Sequence, residues 1–178
     1  MDVQIRLATM ADIPALEGLI RDSVSNLSAG FYTDAQIETA LSHIFGVDTQ
    51  LILDQTYFIA EIDRMIAGSG GWSKRKTMFG GDKLKAQKLD PLLDPATEAA
   101  RLRAFYVHPQ WSRRGVGSSV LTECENAARL AGFTRIELVA TLPGERLYAA
   151  RGYERVDAMQ LEIPNGKPLP AFRMTKAL

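Results

Sequence analysis

A strand-like segment, two closely spaced glycines and an amphipathic helix follow one another in the second half of the chain. Residues 101–107, RLRAFYV, have the apolar and aromatic character of a β-strand. After Gly115 and Gly117, apolar residues recur at helical spacing, and Gly132 is placed to end that helix. Another strand-like run, 135–140, comes next. This order limits the chain to folds in which a strand passes through a tight turn directly into a helix.

The rest of the chain continues the alternation of helices and strands. Residues 73–100 are predicted to form a long loop, because they contain two prolines, a Gly-Gly pair and many charges. The length of 178 residues suits one domain. Further strands are predicted at 3–8, 56–62, 65–72, 153–163 and 171–178, and further helices after Thr9, after Thr33 and over 143–150.

Charge and composition exclude several classes of function. The 21 basic and 21 acidic residues give a net charge of zero, which argues against nucleic acid as the main partner. We find no apolar run as long as a membrane span requires and no signal peptide at the N-terminus. The single cysteine, Cys124, cannot form an internal disulfide. We therefore expect a cytoplasmic protein with no membrane association.

The glycine pair has two interpretations on its spacing alone. The start of a helix presents unpaired N–H groups that bind anions, and Arg113, Arg114 and the Ser118 hydroxyl would add to such a phosphate site. The alternative is that both glycines only permit a tight turn. A Walker A loop is excluded because no lysine follows Gly117, and a dinucleotide fingerprint is excluded because residue 120 is Val.

The segment HPQWSRRGVGSSVL resembles the acetyl-CoA signature of the GNAT superfamily, [Q/R]-x-x-G-x-[G/A], with Gly115 and Gly117 in the glycine positions. Downstream, LYAARGYERV at 147–156 resembles the family's L-Y-x-x-x-G-F element. The leading Gln or Arg of the motif falls on Ser112, and Tyr153 replaces the usual Phe. The order of elements from residue 3 to residue 178 also fits the family.

The resemblance implies an α/β (α+β) fold in a single N-acetyltransferase domain over 1–178. Its mixed central sheet would have about seven strands, flanked by about four helices, and would splay between the fourth and fifth strands. Acetyl-CoA would be the acetyl donor. Its pantetheine arm would pair with the main chain of the fourth strand, and the N–H of Tyr106 or Val107 would polarise the thioester carbonyl. The residues expected to hold acetyl-CoA are Phe105, Tyr106, Val107, Arg113, Arg114, Gly115, Val116, Gly117 and Ser118.

Tyr148 matches the family tyrosine that protonates the departing thiolate. A phenol with a pKa of about 10 is protonated at neutral pH and can donate to that sulfur. The sequence does not single out a general base among Glu61, Glu98 and Glu137. With one cysteine and two scattered histidines, no metal site is expected.

The implied reaction is direct attack of a primary amine on acetyl-CoA, and a small-molecule acceptor is preferred to a protein amine. Phe31, Tyr32 and Trp72 are expected near that acceptor. The basic loop residues, Lys83, Lys85 and Lys88 among them, could meet a phosphate of the cofactor or an acidic acceptor, or could simply be solvated. A non-catalytic acyl-CoA sensor is the alternative function, and a homodimer is possible.

Overall fold

A computed structural model describes residues 2–84 and 90–178. Seven strands form one mixed sheet in the order β1-β2-β3-β4-β5-β7-β6, in which β4 and β5 are parallel and all other neighbours are antiparallel. The predicted seven-stranded mixed sheet is thereby confirmed. The strands are β1 (Gln4–Leu7), β2 (Tyr57–Ile62), β3 (Met65–Ser73), β4 (Ala100–Val107), β5 (Arg135–Thr141), β6 (Glu154–Leu161) and β7 (Leu169–Ala177).

The described residues form five α-helices rather than about four. The additional helix, α3, has only five residues, so it is too short to show a helical repeat of apolar residues in the sequence. The helices are α1 (Ile13–Leu27), α2 (Asp34–His43), α3 (Thr49–Leu53), α4 (Val116–Leu130) and α5 (Glu145–Ala150). The loop between β3 and β4 is long, as predicted, and Lys85 and Lys88 lie outside the described residues.

Two glycines set the ends of α4. Gly115 precedes its first residue with φ 89°, and Gly132 follows its last turn with φ 93°. At the C-terminal end, the N–H of Gly132 donates to the carbonyl of Arg129 and the N–H of Phe133 donates to that of Ala128. This pair of bonds is the Schellman motif, and it confirms the helix end predicted at Gly132.

The sheet separates two layers of buried side chains. On one face, α1, α2 and α3 pack against Tyr57 and Ile59 of β2. On the other face, α4 and α5 pack against Ile136 and Leu138 of β5. Within residues 2–84 and 90–178, no helix combines the length and the apolar character needed to cross a membrane.

The parallel pair at the centre of the sheet is incomplete. β4 and β5 are paired only at Ala100↔Ile136 and Arg101↔Glu137, and beyond these positions the two strands diverge. The splay predicted between the fourth and fifth strands is therefore confirmed. It leaves the second half of β4 without a strand partner on one edge, directly before the turn into α4.

Candidate active site

The divergence of β4 and β5 opens a cavity of about 680 Å³. Its walls come from the second half of β4, the start of α4, the segment from β5 into α5, and α1. Nine of the predicted site residues lie on these walls. They are Phe31, Phe105, Tyr106, Val107, Arg113, Gly115, Gly117, Ser118 and Tyr148.

The start of α4 offers main-chain donors to this cavity. The first bond of the helical pattern runs from the N–H of Ser119 to the carbonyl of Gly115 at 3.0 Å. The N–H groups of Val116, Gly117 and Ser118 therefore have no acceptor within the helix. The side chain of Val116, the first residue of α4, is fully buried, so this residue can contact a ligand only through its main chain.

The two motif glycines serve different needs. A Cβ at Gly115 would meet no atom within 4 Å, so that glycine is required by its left-handed backbone conformation. A Cβ at Gly117 would lie 2.9 Å from Cδ2 of Leu147 and 3.4 Å from Cγ2 of Val107. A side chain at Gly117 would therefore displace the Leu147 side chain, because α4 approaches α5 and β4 closely at this point.

Arginines give the mouth of the cavity positive charge. Arg113 lines it, whereas the Arg114 guanidinium lies 5.5 Å from the ring centroid of Trp111 and does not line the cavity. Arg146, in the first turn of α5, also lines the cavity and was not predicted as a site residue. The start of α4 thus faces two exposed cationic side chains.

One main-chain donor of β4 points into the gap. The N–H of His108 donates to the carbonyl of Ala67 in β3 at 2.9 Å. Because N–H directions alternate along a strand, the N–H of Val107 points the opposite way, where it donates to Oγ of Ser23 at 3.3 Å. Of the two N–H groups considered from the sequence, that of Val107 is the one directed into the cavity.

Ser23 was not predicted as a site residue, although the sequence contained a signal. It lies on α1 among the apolar positions of the buried stripe and is only 6% exposed. A buried hydroxyl on an otherwise apolar helix face needs a hydrogen-bond partner. Which partner it finds depends on how α1 packs across the sheet, and the sequence does not show this.

Tyr148 lies on the cavity wall with its ring held by two aromatic neighbours. The ring makes edge contacts with Phe105 at 5.9 Å and with Tyr153 at 5.7 Å between centroids. Burial raises the pKa of the Tyr148 phenol well above its usual value near 10. The described residues provide no hydrogen bond to its hydroxyl, which is therefore a protonated donor available to a ligand.

Phe105 owes its position to a glycine and a bulge. β4 bulges opposite Gly70, where Ala104 has φ 50°. A Cβ at Gly70 would lie 2.3 Å from Cδ2 of Phe105, so the phenyl ring occupies the space that a side chain would fill. Gly70 therefore leaves room for the Phe105 ring, and that ring in turn packs against Tyr148.

The three residues predicted near the acceptor are not brought together. Phe31 lines the cavity and is 51% exposed. Tyr32 is buried outside the lining, and its hydroxyl donates to the carbonyl of Pro170 and accepts from the N–H of Leu142. Trp72 also lies outside the lining, because its ring packs edge-to-face on Phe133 in the layer of α4.

The candidate general bases are held in ion pairs outside the cavity lining. Glu61 accepts from Arg6, Glu98 lies near Lys76, and Glu137 pairs with Arg101 and Arg173. None of the three lines the cavity. Within residues 2–84 and 90–178, no three His, Cys, Asp or Glu side chains are grouped so that they could bind a metal ion.

Comparison with known proteins identifies the family of this chain. The model of the acetyltransferase (GNAT) domain family matches residues 54–155, which include β4, the glycine turn, α4 and Tyr148. The chain therefore belongs to the GNAT acetyltransferase family.

Solved structures of similar fold agree over the whole chain. A GCN5-related N-acetyltransferase from Rhodopseudomonas palustris is 20% identical, with a TM-score of 0.74 over 100% of this chain and 97% of that one. The PaiA N-acetyltransferase from Thermoplasma acidophilum, in complex with coenzyme A, is 18% identical with a TM-score of 0.66 over 100% of both chains. YncA from Salmonella typhimurium, a putative acetyltransferase with its cofactor acetyl-CoA, is 16% identical with a TM-score of 0.64 over 99% and 94%.

Proposed function

We propose that residues 1–178 form a single acetyl-CoA-dependent N-acetyltransferase domain that acetylates a primary amine of a small molecule by direct attack. One observation carries the proposal: Gly117 and Ser118 at the start of α4, Val107 with its inward N–H, and Tyr148 all line one cavity. Its volume of about 680 Å³ is in the range of small-molecule sites. Structures of similar fold that contain coenzyme A or acetyl-CoA support the choice of donor.

The residues at the start of α4 fit a pyrophosphate. The N–H groups of Val116, Gly117 and Ser118 have no acceptor within the helix, and the partial positive charge of a helix N-terminus favours an anion there. Arg113 and Arg146 add full positive charges at the mouth. Arg114, which contacts Trp111, would act at longer range. The open edge of β4 at Phe105, Tyr106 and Val107 would pair with the extended arm of the donor.

Acetyl-CoA, when bound, supplies an activated carbonyl and a thiolate leaving group. The Val107 N–H would donate to the carbonyl oxygen in place of its bond to Ser23, and would stabilise the negative charge that develops there. Tyr148 would donate its proton to the sulfur. Its raised pKa keeps the proton on the phenol at neutral pH, so the group is in its donor form when the C–S bond breaks.

The test is binding of acetyl-CoA to a variant with an added negative charge in the cradle. Ser118 is the third residue of α4, where glutamate stabilises a helix, so we expect Ser118→Glu to fold. Its carboxylate would repel the pyrophosphate, and we expect calorimetry to show an acetyl-CoA affinity lower by roughly a hundredfold. Ser119→Glu is the matched control, because the adjacent Ser119 does not line the cavity. Equal affinity of both variants would contradict the proposed cradle.

A further inference from the structure

The end of the cavity away from α4 is apolar. Val24 and Leu27 of α1, Phe31 in the following loop, Ile44 and Phe45 after α2, and Phe79 in the long loop form its wall. If the start of α4 holds the donor, this end remains for the acceptor. The chemistry of these walls therefore bears on which amines can enter.

The part of the cavity wall that the structure describes carries no acidic side chain. Among the residues that the structure describes, no Asp, Glu or His lines it, and its charged lining residues are Arg103, Arg113 and Arg146. The stretch 85–89, KAQKL, contains none of these three residue types in its sequence. Arg103 is 3% exposed and is ion-paired with the buried Asp48. The described wall of the cavity thus offers an ammonium group no carboxylate, and its two exposed charges, Arg113 and Arg146, are positive and lie near the start of α4.

A second positive charge on the acceptor would be penalised in this cavity. Moving an ammonium group from water to an apolar wall is strongly unfavourable unless an opposite charge compensates it. The same environment favours the neutral form of the reacting amine, because burial lowers the pKa of an amino group. Because the described wall carries no carboxylate or imidazole, it provides neither of the usual side-chain bases for that amine.

The geometry points to an acceptor that is an apolar monoamine, bound in its neutral form without a side-chain general base. This inference rests on the proposed function. The amine nitrogen forms the C–N bond as the C–S bond breaks, Tyr148 gives its proton to the sulfur, the proton lost by the nitrogen goes to water, and the phenolate of Tyr148 regains a proton from water. The rate should therefore follow the ionisation of the amine itself.

Hexylamine and 1,6-diaminohexane test the inference, because they share a chain length and differ in one ammonium group. We expect hexylamine to bind more tightly in calorimetry without acetyl-CoA, and to be acetylated with a kcat/KM higher by roughly tenfold or more. For two apolar amines of different pKa, the rise of kcat/KM with pH should shift with the pKa of the amine. Phe31→Asp should reduce or reverse the preference, whereas Leu53→Asp, at an exposed position outside the cavity lining, should preserve it.

Three results would overturn the inference. The diamine could be acetylated as well as hexylamine or better, neither amine could bind, or the pH profiles of amines with different pKa values could coincide. The cofactor-free measurement separates it from the proposed function. Selective binding of hexylamine without any turnover would support the apolar acceptor site. It would contradict only the proposed acetyl transfer.

Discussion

Tyr148 combines a buried ring with a hydroxyl that has no hydrogen-bond partner among the described residues. The ring is fixed by Phe105 and Tyr153, and burial keeps the proton on the oxygen. Such a group could be recognised from the sequence, because its motif is local. Arg146 could not, and for Ser23 the sequence shows only that its hydroxyl needs a partner, since each residue reaches the cavity through the packing of a helix on the sheet. Trp72 was predicted near the acceptor, but it lies on a central strand and its ring packs into the core.

At the residue scale, removal of the Tyr148 hydroxyl distinguishes an enzyme from a binding module. We expect Tyr148→Phe to lower kcat by roughly a hundredfold or more, because the thiolate loses its acid, while the affinity for acetyl-CoA changes little. Tyr153→Phe is the control, since Tyr153 is equally buried but lies outside the cavity lining. If wild type and Tyr148→Phe turn over equally, the acid role is wrong.

At the scale of elements, the sheet and α4 were predictable because their signals are periodic or local. Alternating strands, apolar helix stripes and the glycines at both ends of α4 are visible in the sequence, and the turn at Asp63 and Arg64 has the positive φ values of a tight hairpin. The helix α3 was too short to detect. The bulge in β4 also escaped prediction, because it arises from the pairing of Ala104 and Phe105 against Gly70.

The bulge predicts a specific effect of Gly70→Ala. The added methyl group would displace the Phe105 ring and with it Tyr148, so we expect kcat to fall by roughly tenfold, and the free energy of unfolding to fall by about 1–3 kcal/mol. Gly18→Ala is the matched control, because a Cβ there meets no atom within 4 Å on the exposed face of α1. It should raise the free energy of unfolding by about 0.5–1 kcal/mol and leave kcat unchanged. An unchanged kcat in Gly70→Ala would contradict the idea that Gly70 positions Tyr148 through Phe105.

At the scale of the whole molecule, all five tyrosines have a raised pKa, mainly because they are buried. In the unfolded chain they ionise near pH 10. Below this pH each phenol is protonated in both states and stability is unaffected. Above it the unfolded chain loses protons that the folded protein retains, so the free energy of unfolding falls as the pH rises. A homodimer stays a prediction at this scale.

The expected outcome is a cooperative alkaline transition. Tyrosinate absorbance should remain low through pH 10 and then rise together with the loss of circular dichroism, whereas the protein in denaturant should titrate gradually near pH 10. Gradual ionisation of several tyrosines near pH 10 in a protein that remains folded would contradict the buried placement of these rings.

The incomplete pairing of β4 and β5 has a consequence for isotope exchange. The N–H of His108 donates to the carbonyl of Ala67 in the sheet, whereas the N–H of the neighbouring Val107 donates, among the described residues, only to the hydroxyl of Ser23. Two adjacent amides should therefore differ in their exchange with deuterium, the first slow and the second fast. A ligand that completes the open edge of β4 would slow the second amide selectively. The difference in exchange rate between the amides of His108 and Val107 therefore reports whether a compound fills the gap between β4 and β5. The measurement needs no catalytic assay.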